Sequence, residues 1–145
     1  MQRRFMIDTN VFIAAFKSGY TATTKLLIKL LLDPEIELIA DDVLIKEYEK
    51  WFNLLTSKLP KIKKQAELLY HLILTKVKVE NPGKEHIEAV RPYMLETEIA
   101  DIYHAAACFK TNSILITNDK DFQELKNHGI IQVWSISEAI RRLLK

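Results

Sequence analysis

The chain is poor in cysteine, glycine and net charge. Its one cysteine, Cys108, excludes an internal disulfide framework and a cysteine-based zinc site, and it points to a reducing compartment. Three glycines and four prolines in 145 residues exclude a collagen-like or low-complexity chain. No stretch approaches the roughly 20 apolar residues that span a bilayer. Arg3 and Arg4, followed by apolar residues, imitate a signal peptide, but Asp8 and Asn10 interrupt the run and no convincing small-residue cleavage site follows. The expectation is a soluble cytoplasmic protein. Basic residues number 21 and acidic residues 19, so the net charge of +2 argues against a polybasic binder while permitting a local basic patch.

What is present is apolar residues, 48% of the chain, in a length that suits one domain over residues 1–145 with a sizeable core. Residues 5–7 form a short apolar run that stops at Asp8, as a buried parallel strand does. Thr9 then caps a helix to about Phe16, with Gly19 as punctuation. Leu26, Leu27, Leu30 and Leu31 mark a helix begun at Thr21 and closed by Asp33-Pro34. Residues 36–40 read as a second strand, and Asp41 or Asp42 caps the helix containing Leu44, Glu47, Tyr48 and Trp51. Pro60 separates it from a helix striped by Ala66, Leu69, Tyr70 and Ile73. Val77 and Val79 mark an edge strand, and residues 81–83 a turn. Helices over about 87–93 and 97–109 precede the clearest buried strand, 113–117. A short helix after Asp119, a cap at Gly129, a strand over 130–134 and a helix begun at Ser135 or Ser137 complete the pattern. This alternation predicts a three-layer α/β/α domain around a mostly parallel central sheet.

In such a sheet ligands bind beyond the carboxyl ends of the strands, near a topological switch point. Asp8 and Asp119 follow two of the predicted strands directly. Glu47 and Asp101 sit on helices, and Glu98 shares Asp101's helical face at i, i+3 spacing. Taken singly, each acid is explained by capping, a turn or solvation. Together, four or five carboxylates around one pocket make a hard, oxygen-rich site suited to Mg2+ or Mn2+ and not to zinc.

The order and setting of these acids resemble the PIN-domain ribonucleases over nearly the whole chain. Asp8 resembles the family's first acid, in a hydrophobic-Asp-Thr-Asn-Val signature. Glu47 resembles the second, Asp101 the third, and Asp119 the fourth, within Ile-Leu-Ile-Thr-Asn-Asp-Lys-Asp-Phe. Asn10 and Thr117 resemble the polar residues that orient the first acid, and Glu98 stands where many relatives carry an additional acid. The helical pair between Glu47 and Val77 is unusually long for the family. A PIN domain of this size without zinc modules resembles VapC-type toxins of toxin–antitoxin pairs.

The resemblance implies metal-dependent hydrolysis of RNA phosphodiesters. Asp8, Asp101 and Asp119 would hold one or two Mg2+ or Mn2+ ions, with Glu47 completing the catalytic cluster. It also implies an RNA substrate, a small antitoxin partner and a homodimer. Lys46 and Lys50, with further lysines along the long helical pair, would meet flanking phosphates. Tyr48 and Trp51 would either stack on unpaired bases or pack in the core or a dimer contact. His104, one turn after Asp101, is read as a packed or surface histidine and not as a base. The alternatives are a non-catalytic RNA- or protein-binding module of the same fold, and an RNA-processing nuclease that is not a toxin. A haloacid-dehalogenase-type phosphatase would need an aspartate where Asn10 stands, and a receiver domain an acidic pair that Asp8-Thr9-Asn10 does not supply.

Overall fold

The structure, a computed structural model, describes residues 3–17, 21–94 and 98–144. The first strand, β1 (Arg3–Ile7), carries Phe5, Met6 and Ile7 buried without alternation, as a strand covered on both faces requires. Helix α1 (Thr9–Lys17) follows immediately, and α2 (Ala22–Leu32) is capped by Thr21 in a reciprocal pair with Thr24. Strand β2 (Ile36–Ala40) runs into Asp41, which caps the long α3 (Asp42–Lys58). A 3-10 turn at Pro60–Ile62 leads to α4 (Lys63–Lys76), then β3 (Lys78–Val79) and α5 (Lys84–Val90). Helix α6 (Ile99–Thr111) precedes β4 (Ile114–Ile116), α7 (Gln123–Asn127), β5 (Gln132–Trp134) and α8 (Ile136–Leu143).

All four strand pairings are parallel, in the order β3-β2-β1-β4-β5, and helices flank the sheet to give three layers. The chain steps outward from β1 through β2 to β3, then returns to lay β4 and β5 on β1's other side. The switch point therefore lies between β1 and β4. Their register sets Ile7 opposite Ile116, so both strands end level, and the Asp8 amide donates to the Ile116 carbonyl at 3.1 Å.

Several boundaries differ from the sequence reading. Helix α5 begins at Lys84, behind Gly83, and its end tightens into a 3-10 turn at Arg91–Tyr93 around Pro92. Strand β5 starts only at Gln132, because Gly129 turns the chain at φ 67° and the Ile130 amide bonds back to Leu125. Gly19 and Thr97 lie outside the described residues.

Candidate active site

Of the acids expected to meet, Asp8, Asp101 and Asp119 are carried near one another by three separate stretches of chain. Asp8 leaves the end of β1 and is buried. Its Oδ2 accepts from the Thr117 hydroxyl at 2.6 Å and from Asn10 Nδ2 at 3.3 Å, and its Oδ1 accepts from the Thr9 amide at 2.8 Å. Thr117 in turn accepts from Asn10 Nδ2 at 3.1 Å and from the Asp119 amide at 3.0 Å. One hydroxyl thus joins the ends of β1 and β4 and fixes the direction of Asp8. Asn118 extends the network. Its amide approaches Asn10 Oδ1 at 3.4 Å, and its own Oδ1 accepts from the Ile136 amide at the start of α8.

Asp119, Asp121 and Asp101 bring one carboxylate oxygen each to within 4.8 Å of one another. Asp119 Oδ1 also accepts from the Asp121 amide at 3.0 Å, an Asx turn that holds the two acids side by side. Asp101 comes from α6, on which Ala105, Ala106 and Ala107 are fully buried, and their small side chains let the helix lie close to its neighbours.

The electrostatics record this crowding. Burial, then the charges of Asp8 and Asp119, push the Asp101 carboxyl up to about 7, with His104 acting in the opposite direction and Asp121 adding to the rise. Asp8 is also raised, chiefly by burial, although its bonds from Thr117 and Thr9 oppose the shift. Acids gathered at such cost are relieved by a cation, and an all-carboxylate donor set suits Mg2+ or Mn2+.

Glu47 and Glu98 are placed differently. Glu98 is exposed at the start of α6, makes no capping bond, and does not belong to the converging set among the described residues. Glu47 projects from α3 onto His104, its Oε1 lying 3.1 Å from the ring's Nε2. The other ring nitrogen, Nδ1, is 2.6 Å from Asp41 Oδ2. His104 is 1% exposed and Asp41 fully buried. Burial disfavours the charged ring, but the hydrogen bonds and charges of Asp41 and Glu47 outweigh it and hold His104 up to about 10.

Asp121 and the Asp41–His104 pair were missed as site residues in the sequence. Asp121 carried a usable signal, since an acid two residues after Asp119 in a turn lands beside it. The other pair did not, because 63 residues separate its members. Tyr48 is resolved in favour of the core. It is buried, donates to the Ile7 carbonyl and stacks on Phe12 with ring centroids 5.4 Å apart, so no base can reach it. Trp51 is half-buried with the Lys50 ammonium 5.8 Å from its ring centroid, and Lys46 and Lys50 are both exposed on α3.

A doubly wound parallel sheet that gathers aspartates at its switch point is an α/β fold with an acidic pocket of the kind that can hold a divalent cation. Within that fold class the sequence matches the PIN domain model over residues 5–127, and the chain belongs to the PIN domain family. No curated protein sequence matches it. Its fold is similar to that of VapBC2 from Rickettsia felis, solved bound to a DNA fragment from its promoter, with a TM-score of 0.60 at 15% identity, covering 91% of this chain and 98% of that one. VapBC-1 from nontypeable Haemophilus influenzae gives 0.61 at 19% identity, covering 92% and 98%. FitAB bound to an IR36 DNA fragment gives 0.61 at 18% identity, covering 91% and 94%. No helix among the described residues is long and apolar enough to cross a membrane.

Proposed function

We propose that this PIN domain is a Mg2+- or Mn2+-dependent endoribonuclease and the toxin component of a toxin–antitoxin pair. The observation that carries the reading is the convergence of Asp101, Asp119 and Asp121 beside the oriented Asp8 at the switch point of the sheet. A binder of polyanions gains nothing from assembling these acids, which repel RNA unless a cation intervenes. The likeness in fold to VapBC and FitAB, whose names pair two components, supports an antitoxin partner for this chain.

Asp8, Asp101 and Asp119 would hold the cation, and Asp121, whose carboxylate lies with those of Asp101 and Asp119, would join them. When bound, the cation supplies a Lewis acid that offsets phosphate charge and makes water acidic enough to attack at neutral pH. The chain does the rest. Thr117 and Asn10 keep Asp8 pointed into the pocket, so no reorientation is needed at the moment of reaction. Asp101, whose carboxyl is held up to about 7 by burial and by Asp8 and Asp119, would bind a cation as the carboxylate. Lys46 and Lys50 on the exposed face of α3 meet phosphates flanking the scissile bond, as their positions beside Glu47 suit.

Purified protein should cleave RNA when Mg2+ or Mn2+ is added and stop when a chelator is added. Asp8→Asn should remove the activity while leaving the circular dichroism spectrum unchanged. Equal cleavage by wild type and variant would exclude the site as the source of activity. Co-purification of a small partner encoded beside the gene tests the toxin assignment, and the absence of any such reading frame contradicts it.

A further inference from the structure

His104 has an environment that packing alone does not require. Its ring is almost wholly enclosed, and both nitrogens face carboxylate oxygens, Nδ1 to Asp41 at 2.6 Å and Nε2 to Glu47 at 3.1 Å. A neutral imidazole has one donor and one acceptor, whereas an ionised carboxylate only accepts. The arrangement is therefore satisfied when both nitrogens carry hydrogen. The two acids differ in what else they do. Asp41 Oδ1 takes the Leu44 amide at 2.7 Å and caps α3, so Asp41 is fixed twice over. Glu47 is part-exposed, and His104 is its hydrogen-bond partner among the described residues. A glutamate left to itself at a pocket rim samples several rotamers.

We propose that His104 is a positioning residue, a bracket that anchors itself on Asp41 and uses its second nitrogen to hold the Glu47 carboxylate beside α6, the helix that carries Asp101. It rests on the nuclease reading above for its effect on turnover. The bracket ties three parts of the site together. Asp41 starts α3, Glu47 lies farther along the same helix, and His104 stands three residues after Asp101 on α6. Groups that fix the direction of an acid near a metal site act on rate without touching substrate.

Two amide substitutions separate positioning from support of the fold. An asparagine amide lies near the place of Nδ1 and a glutamine amide near that of Nε2. His104→Asn therefore keeps the link to Asp41 and drops Glu47, and His104→Gln does the reverse. His104→Asn should lower kcat by about 10- to 100-fold with KM little changed, and His104→Gln should keep kcat within about threefold of wild type, both measured below the variants' melting transitions on protein whose circular dichroism matches wild type. Equal activity in the two variants, or the opposite order, overturns the bracket. A second measurement is independent of turnover. Nitrogen-edited NMR of the cation-free protein near neutral pH should show two ring N–H correlations for His104, and Glu47→Ala should remove the one at Nε2. A single correlation in the wild type, or two that ignore Glu47→Ala, also overturns the proposal. If wild-type protein cleaves no RNA with Mn2+, the nuclease reading fails and the ring signals still decide the link between His104 and Glu47.

Discussion

Asp101 and His104 are one turn apart on α6 and carry opposite penalties. Asp101 is a carboxyl whose charge the native state resists, through burial and through Asp8 and Asp119. Asp101→Asn should therefore raise the stability of the cation-free protein, by about 1 kcal/mol, while weakening divalent-cation binding, the trade expected of a residue kept for function. Thermal unfolding in chelator checks this, and a destabilised variant contradicts it. His104 behaves in the other sense. Its native value of about 10 lies above the 6.5 of the unfolded chain, so its ion pairs contribute stability that is fully present below about pH 6.5 and is lost as pH rises through about 10. The midpoint of denaturant unfolding should fall across that window, and His104→Gln should flatten the fall. An equal slope in both proteins would show that the ring is not held charged. At this scale the sequence was only partly legible. The hydrophobic-Asp-Thr-Asn run pointed to Asp8, Asn10 and their strand-end setting. The chemistry of His104 depends on two acids remote in sequence, which no local pattern announces.

Helix α3 shows what element-level signals can and cannot carry. An acid after the apolar β2 run predicted its N-cap, and Asp41 fills that role through the Leu44 amide. Asp41 is also the buried counter-ion of His104, a fact of tertiary packing. Asp41→Ala removes a cap worth about 1 kcal/mol and leaves a buried cation short of a partner, so the total cost should reach about 3–5 kcal/mol, measured by urea unfolding. A loss near 1 kcal/mol would mean that the ring simply releases its proton. Helix ends without sequence signals were placed less well. Helix α6 runs on to Thr111, where Asn112 takes φ 54°, a left-handed cap that glycine fills more often. The exposed face of α3 makes a separate prediction. Lys46→Ala and Lys50→Ala should each weaken RNA binding across sequences and shallow the salt dependence by about one unit of slope. Unchanged slopes would place the RNA elsewhere.

Across the whole molecule, the order of strands and helices was readable because apolar runs in a parallel sheet are continuous and end abruptly in polar residues, as at Ile7-Asp8 and Ile116-Thr117. That order leaves a switch point between β1 and β4, and the residues following those strands meet there. Asp8, Thr117 and Asp119 follow from topology alone. The positions of Glu47 and Glu98 do not, because they depend on how α3 and α6 rotate about their axes as they pack. The same geometry that binds the strand ends together by hydrogen bonds brings carboxylate oxygens of Asp101, Asp119 and Asp121 within 4.8 Å of one another beside the strand end that carries Asp8. The most direct test is a titration of chelator-treated protein with Mn2+, followed by the loss of the free-ion electron paramagnetic resonance signal, in wild type and Asp119→Asn. Saturable binding that weakens by at least about tenfold in the variant is the predicted result. Equal affinity in the two proteins, or no binding in either, would contradict a cation site at the ends of β1 and β4.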